Sequence, residues 1–276
     1  MATGFLHPGA MGASLAAACR GKRLWCGAGR SAATRARAIA AGMDDVDSLD
    51  ALVAQSDVIV SVCPPASAVE VAEAVAAIGF TGIYVDANAI APATARTIAQ
   101  RFSRFVDGGI VGPPVQAAGT TRLYLSGDRA AEVAALWTGS ALETRLVPGD
   151  AGAASAVKVC YAAWTKGSAA LLTAIRALAV AEGVDAAVLA EWDTSIPGLS
   201  ERSDLAATGA APKAWRFAGE MDEIAAAFAA HGLPDGFGRA AADVYARLGA
   251  FKDAPGTSLA DLLAALSAGP SQVTPG

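Results

Sequence analysis

Two kinds of hydrophobic run alternate along the first half of the chain. Short runs rich in β-branched and aromatic residues are separated by longer, alanine-rich runs with helical character. This alternation is typical of a parallel sheet covered by helices. The predicted strands span residues 3–7, 23–27, 57–63, 82–87, 104–108, 121–127 and 143–148.

The pattern changes after Gly149. The β-rich runs stop, and the sequence to about Leu266 is helical in character. Its first segment, from Asp150 to about Glu182, is long and mostly apolar, which predicts a helix buried around much of its circumference. We therefore predict a parallel-sheet domain at residues 1–149 and an all-helical domain at residues 150–276, joined by this long helix. The tail at 267–276 is expected to be frayed.

Composition narrows the class of protein. Hydrophobic residues make up 54% of the chain and charged residues 17%, which favours a folded, soluble protein over a disordered one. A net charge of −5 gives no field that attracts nucleic acid or an anionic membrane. The most apolar run, SAALLTAIRALAVAEGVDAAVLA at 168–190, is broken by Arg176, Glu182 and Asp185, so it is not expected to cross a membrane. No signal peptide is evident, and we expect a cytoplasmic protein.

The few potential metal ligands are scattered along the sequence. The chain has two histidines far apart, and its four cysteines form no CxxC pair. We therefore expect reduced thiols and no metal site.

The first chemical motif is GFLHPGAMG, residues 4–12, where a strand leads through a turn into a helix. A pyrophosphate needs close approach to backbone N–H groups at a helix N-terminus, and Gly9 gives that space, while Gly12 lets the helix pack on the strand. His7 stands where a tight-turn glycine is usual, and Pro8 lacks an N–H group. These nine residues alone fit a nucleotide-binding turn or ordinary packing glycines equally well.

The second strand favours the nucleotide interpretation. NAD-binding sites carry an acidic residue at the end of this strand, whereas here the sequence continues as AGRSAATRAR. Arg30, Ser31, Thr34 and Arg35 suit a 2′-phosphate, so we expect NADP(H) in preference to NAD(H). The alternative is that these arginines are simply solvated.

These motifs resemble the β-hydroxyacid dehydrogenases, the superfamily of 3-hydroxyisobutyrate and 6-phosphogluconate dehydrogenases. The resemblance continues through GRS, DVIVSVCPPASAVEVA, YVDANAIAPATAR, VDGGIVGPPV and GAASAVKVCYAAWTKG. It covers a Rossmann-type domain and the first helix of the second domain. The stretches HPGAMG and KAWRFAGEMDEIA resemble a poorly characterised branch with a phosphogluconate dehydrogenase-type C-terminal domain.

The resemblance implies a cofactor site at the ends of several strands. At the turn, where the family has a glycine, our own hypothesis is that His7 donates a hydrogen bond to the phosphates or ribose. The implied residues are His7, Pro8, Gly9, Ala10, Met11, Gly12, Arg30, Ser31, Arg35, Cys63, Pro64, Pro65 and Asn88.

The resemblance also implies a catalytic lysine at Lys158. Reduction of a carbonyl generates an alkoxide, which an ammonium group stabilises and protonates. A solvated lysine at a helix edge is the alternative role for Lys158, and Lys166 on the same predicted helix is a competing candidate.

The substrate is less well defined by the motifs. Tyr161 stands near the place of the family's asparagine, and the family's serine–glycine–glycine loop is Val111, Gly112 and Pro113 here. We assign a catalytic role to Tyr161, substrate contacts to Val111 and Gly112, and an apolar pocket wall to Trp164 and Trp215.

The sequence therefore predicts an NADP(H)-dependent oxidoreductase that interconverts a hydroxy group and a carbonyl. Two alternatives remain: an imine reductase and a non-catalytic NADP(H)-binding regulatory protein. We also expect a homodimer, because the long helix of this fold normally buries its apolar face against a second subunit.

Overall fold

The computed structural model of the protein describes residues 1–252, 254 and 256–267. The described chain consists of two compact units. The first is formed by residues 1–161, and the second begins at Ala162. Apart from Ser267, the tail for which fraying was predicted lies outside the described residues.

The first unit is built on one eight-stranded sheet with the order β3-β2-β1-β4-β5-β6-β7-β8. Every neighbouring pair is parallel except β6 and β7, which are antiparallel. The strands are β1 (Ala2–Phe5), β2 (Lys22–Cys26), β3 (Asp44–Val46), β4 (Val58–Ser61), β5 (Ile83–Asp86), β6 (Phe105–Val111), β7 (Arg122–Ser126) and β8 (Glu143–Leu146).

Six helices connect these strands. They are α1 (Ala10–Ala18), α2 (Ala32–Ala40), α3 (Leu49–Gln55), α4 (Ala68–Ala77), α5 (Pro92–Ala99) and α6 (Ala130–Ala134). Local sequence explains several of their starts: the hydroxyls of Ser31 and Ser48 cap α2 and α3, and Pro92 is the first residue of α5.

Both faces of the sheet are buried. Leu24 and Ile59 belong to one apolar cluster, whereas their neighbours Trp25 and Val60 belong to another on the opposite face. This explains why the strands have continuous apolar sequence, as parallel strands covered on both sides do. The predicted Rossmann-type architecture is confirmed, and the carboxyl ends of β1 and β4 lie side by side where the strand order reverses.

Strand β3 was not predicted from the sequence. β3 pairs with β2, yet two of its three residues are Asp44 and Asp45, so it carries no apolar run to reveal it.

The second unit is helical throughout its described residues. It contains the greater part of α7 (Ala153–Ala181), followed by α8 (Asp185–Ser195), α9 (Leu199–Ala210), α10 (Ala214–Ala229), α11 (Gly236–Arg247) and α12 (Leu259–Ser267). Helices α10 and α11 approach closely because Gly238 lacks a side chain: a Cβ there would lie 2.9 Å from the Ala225 Cβ. None of the described helices combines the length and apolar character needed to cross a bilayer.

Helix α7 contributes residues to both units. It begins at Ala153, just after the boundary predicted from the change in sequence pattern, but its residues up to Tyr161 belong to the sheet unit.

Candidate active site

The turn between β1 and α1 has the steric features of a phosphate-binding turn. A Cβ at Gly12 would lie 2.3 Å from the His7 carbonyl oxygen, so only glycine fits where the helix approaches the turn. A Cβ at Gly9, by contrast, would have no atom within 4 Å. Gly9 therefore borders open space directly before the helix.

The start of α1 is suited to an anion. Gly9 is the N-cap residue and provides no side-chain hydrogen bond, and the first turn of the helix has no acidic residue. The N–H groups of Ala10, Met11 and Gly12 are those that a helix leaves without intrahelical partners, and the helix dipole favours negative charge there. A nucleotide's pyrophosphate fits this turn.

His7 and Arg30 are in direct contact. Arg30 Nη2 lies 3.2 Å from His7 Nε2 and 3.5 Å from the Leu6 carbonyl oxygen. Burial, together with the nearby Arg30 charge, lowers the pKa of His7 to about 4. The imidazole is thus neutral near neutral pH, and Arg30 is held beside the turn after β1.

Arg35 has a different environment from Arg30. It forms a salt bridge with Asp45 at 3.2 Å and donates a 2.5 Å hydrogen bond to the Gly27 carbonyl oxygen. Asp45 also accepts a 2.7 Å hydrogen bond from Gly27 N. An acidic residue therefore does lie beside the end of β2, contributed by β3, and Arg35 neutralises it. Arg35 is consequently less suited than Arg30 to bind the cofactor.

The sequence analysis missed Arg37. Its Nε donates to the Pro8 carbonyl oxygen at 3.2 Å, and its Nη2 donates to Thr34 Oγ1 at 3.0 Å. Arg37 lies one helical turn after Thr34, a spacing that places both on one face of α2 and would have identified it. Ser31, predicted to contact the cofactor, accepts a hydrogen bond from Thr34 N as the N-cap of α2.

The loop after β4 is fixed by a buried amide. Asn88 is 2% exposed; its Oδ1 accepts from Cys63 N at 2.6 Å, and its Nδ2 donates to Ser61 Oγ and Asp86 Oδ2. Burial raises the pKa of Asp86 to about 7 and that of Cys63 to about 11. Asn88 thus positions the loop that holds Cys63, Pro64 and Pro65 while its own amide faces inward.

The sheet also fixes the start of α7. Asp107 on β6 accepts hydrogen bonds from Gly152 N, Ser155 N and Ser155 Oγ at 3.0, 2.8 and 2.6 Å. Ser126 on β7 accepts one from Ala154 N at 3.1 Å. These side chains satisfy N–H groups that a helix start leaves free, and they tie α7 to two neighbouring strands. Sequence reasoning had assigned neither residue a role.

This anchoring places Lys158 against the sheet. A Cβ at Gly109 of β6 would lie 3.0 Å from the Lys158 Cβ and 2.6 Å from the Ala154 carbonyl oxygen, so Gly109 permits the close approach. Lys158 is partly buried. Tyr161 follows one turn later on the same face of α7 and is 47% exposed.

The loop after β6 is only partly available to a substrate. The Val111 side chain is 2% exposed, so a contact at this position would involve its backbone. Gly112 has a φ of +120°, and a Cβ there would lie 2.2 Å from the Thr120 carbonyl oxygen, so a glycine is required. Val115 N donates to Ser14 Oγ at 3.0 Å, which ties this loop to α1.

The two predicted pocket tryptophans lie in the helical unit. Trp164 on α7 is 70% exposed, and the Trp215 ring on α10 has Lys252 Nζ 4.5 Å from its centroid. Lys166, the competing catalytic candidate, forms a partly buried ion pair with Glu220, and its Nζ lies 4.5 Å from the Phe217 ring centroid. Its ammonium group is therefore engaged within the helical unit.

Comparisons with known proteins agree with this architecture. Residues 179–248 match a family described as a domain of unknown function, DUF1932. A conserved protein of unknown function, described as structurally similar to 3-hydroxyacid dehydrogenases, is 25% identical; the match covers 92% of this chain and 100% of that one, with a TM-score of 0.68. No curated protein matches the chain in sequence.

Two characterised proteins share the fold at lower identity. Mycobacterium tuberculosis 3-hydroxyisobutyrate dehydrogenase is 20% identical over 96% of this chain and 98% of that one, with a TM-score of 0.69. A reductive aminase from Aspergillus terreus, solved with NADPH and ethyl levulinate, is 18% identical over 95% and 98%, with a TM-score of 0.55. The chain therefore has the two-domain fold of these dehydrogenases, and the predicted resemblance to the β-hydroxyacid dehydrogenase superfamily is confirmed at the level of the fold.

Proposed function

We propose that this protein is an NADP(H)-dependent oxidoreductase that interconverts a hydroxy group and a carbonyl, with Lys158 as the general acid and base. The observation that carries the proposal is the position of Lys158. It lies on a helix anchored by Asp107 and packed on β6, within the same unit as the open turn at Gly9.

The residues at the strand ends have different roles in binding the nucleotide. The free N–H groups at the start of α1 suit the pyrophosphate, and Arg30 suits a 2′-phosphate. Arg37 keeps the Pro8 carbonyl in place, and Asn88 keeps the Cys63 loop in place. NADP(H), when bound, supplies or accepts the hydride. The NADPH complex of the reductive aminase with this fold supports the choice of cofactor.

Lys158 transfers the proton to or from the substrate oxygen. In the reducing direction its ammonium group donates a proton to the carbonyl oxygen as negative charge develops there; in the oxidising direction the neutral amine accepts the hydroxyl proton. Tyr161, on the same helical face, serves as a hydrogen-bond partner to the substrate. Anchoring of α7 by Asp107 keeps this face oriented, as proton transfer requires a fixed donor.

The test compares two lysines of the same helix. Lys158→Met should lower kcat by about 10²–10⁴-fold while the Kd for NADPH changes by less than about twofold, because only proton transfer is removed. The matched control replaces Lys166 and its partner together, as Lys166→Met with Glu220→Leu, and should retain turnover. Measurements would use panels of hydroxy acids, alcohols and cyclic imines, with nucleotide binding followed by calorimetry.

Two outcomes would favour the other functions. Turnover of cyclic imines alone, unaffected by Lys158→Met, would identify an imine reductase. NADPH binding without turnover of any panel would identify a nucleotide-binding regulatory protein.

We also propose that the protein is a homodimer that pairs through α7. Trp164, Leu171 and Leu178 recur every seven residues on this helix and are all exposed. Small residues stand between them, and the stripe borders an apolar groove of about 480 Å³ formed with α10 and α11, where Phe237 is 80% exposed. A second copy offers the same regularly spaced stripe in return.

Sedimentation velocity tests this assembly. At micromolar concentration we expect a dimer, and a monomer after Leu171→Glu with an unchanged circular dichroism spectrum. A monomeric wild type would overturn the proposal.

A further inference from the structure

His7 is surrounded by positive charge. Arg30, from the connection between β2 and α2, contacts its Nε2 at 3.2 Å, and Arg37 from α2 is bonded to the carbonyl oxygen of the next residue, Pro8. The first turns of α1 and α2 carry no acidic residue. The carboxylate of Asp45 on β3 is paired with Arg35. No carboxylate among the described contacts of His7 balances this charge.

The contact with Arg30 defines the state of the imidazole. A guanidinium group only donates hydrogen bonds, so His7 Nε2 must accept, and the ring proton must reside on Nδ1. A protonated imidazole has two donors and no acceptor, so protonation of His7 and its contact with Arg30 exclude one another. Nδ1 is buried and has no hydrogen-bond partner among the described residues, so the neutral ring leaves one N–H group unsatisfied.

A phosphate group removes the conflict between protonation of His7 and the position of Arg30. Its oxygens accept hydrogen bonds from Arg30 and from a protonated Nε2, and its negative charge offsets both cations. We propose that His7 and Arg30 form one phosphate-responsive pair, in which binding of a cofactor phosphate breaks their mutual hydrogen bond and His7 takes up a proton. This inference rests on the proposed nucleotide-binding function.

The direction of the pH effect follows from this coupling. Burial and Arg30 lower the pKa of free His7 to about 4, and an adjacent phosphate raises it again. A group whose pKa rises on binding strengthens binding as the pH falls through the pKa of the complex. NADP⁺ should therefore bind more tightly on acidification, in the window between about pH 7 and pH 4.

The chain permits a direct measurement, because it has only two histidines and the other, His231, is exposed. In a His231→Gln background, the remaining imidazole signal is that of His7 and can be titrated by NMR. We expect a midpoint near pH 4 in the free protein and above about pH 6 with saturating NADP⁺. The same midpoint in both states would overturn the proposal.

A calorimetric comparison with His7→Gln provides an independent readout. Glutamine also accepts a hydrogen bond from Arg30 but does not titrate, so the variant keeps the contact and loses the proton. Between pH 7.5 and pH 5.5 the affinity for NADP⁺ should increase about tenfold more in the wild type than in His7→Gln. Equal pH dependence in the two proteins would contradict the coupling, since titration of the nucleotide's own phosphate is common to both.

A comparison with NAD⁺, which lacks the 2′-phosphate, identifies the phosphate group that acts on His7. Proton uptake with NADP⁺ but not NAD⁺ assigns the effect to the 2′-phosphate, and equal uptake with both assigns it to the pyrophosphate; either supports the coupling. Failure of both nucleotides to bind would overturn the proposed function as well. Binding of NADP⁺ without any change at His7 would overturn this inference alone.

Discussion

The sheet unit and the helical unit use their polar side chains differently. In the sheet unit, several polar side chains form hydrogen bonds with backbone atoms. Asn88 accepts one from Cys63 N, Asp107 accepts from N–H groups at the start of α7, and Arg37 donates one to the Pro8 carbonyl oxygen.

In the helical unit, the charged side chains below the surface pair with one another. Arg176 is buried, donates to Asp185 and Asp204 at 2.7 and 2.5 Å, and also donates to Ser203. Lys166 is paired with Glu220. What this unit exposes along α7 is apolar.

The difference indicates where chemistry takes place. Side chains that hold backbone groups fix the shape of loops while leaving the helix start at Gly9 open to an anion. Paired charges stabilise a packed helical unit, and an apolar surface is suited to association. This difference supports the proposed division, with nucleotide binding and proton transfer in the sheet unit and the first turns of α7, and dimerisation in the helical unit.

The largest effect that we expect concerns the stability of the helical unit. Lys166→Met leaves the largely buried Glu220 carboxylate without this partner, and should lower the free energy of unfolding by roughly 2 kcal/mol. Adding Glu220→Leu removes the stranded charge and should restore most of that loss. Urea unfolding followed by circular dichroism measures both variants.

The contrasting lysine supplies the control for that experiment. Lys158→Met, in the sheet unit, exchanges a partly buried side chain for one of similar length, so its unfolding free energy should change by less than about 1 kcal/mol. If Lys166→Met were as stable as the wild type, or if Lys158→Met were the more destabilised variant, the contrast between the two units would be lost.

Sequence reasoning succeeded where neighbouring residues determine structure. The alternation of strand and helix runs predicted the parallel sheet, and the loss of β-rich runs after Gly149 predicted the helical region. Both patterns arise from burial of local segments, so they can be detected without knowledge of distant contacts.

Sequence reasoning failed where interacting residues lie far apart along the chain or where a strand lacks an apolar run. The pairing of Lys166 with Glu220 spans 54 residues, and nothing near either residue predicts it. The pairing of Arg35 with Asp45 went unnoticed because β3 is short and acidic. Asp107 was likewise assigned no role, because its partners at the start of α7 lie more than 40 residues along the chain.

Specificity depends on the few groups that surround the reacting carbon, and the positions that differ from the family's motif include Tyr161 and Val111. Val111 stands where the family's motif has a serine, and its buried side chain carries no hydroxyl for a substrate carboxylate.

Titration of NADPH and NADH into the wild-type protein and Arg30→Ala tests the central claim most directly. We expect the wild type to prefer NADPH, and Arg30→Ala to weaken NADPH binding by roughly 10–100-fold with NADH changed by less than about twofold, since the variant removes a charged hydrogen bond to the 2′-phosphate. Binding of neither nucleotide to the wild type would contradict the account.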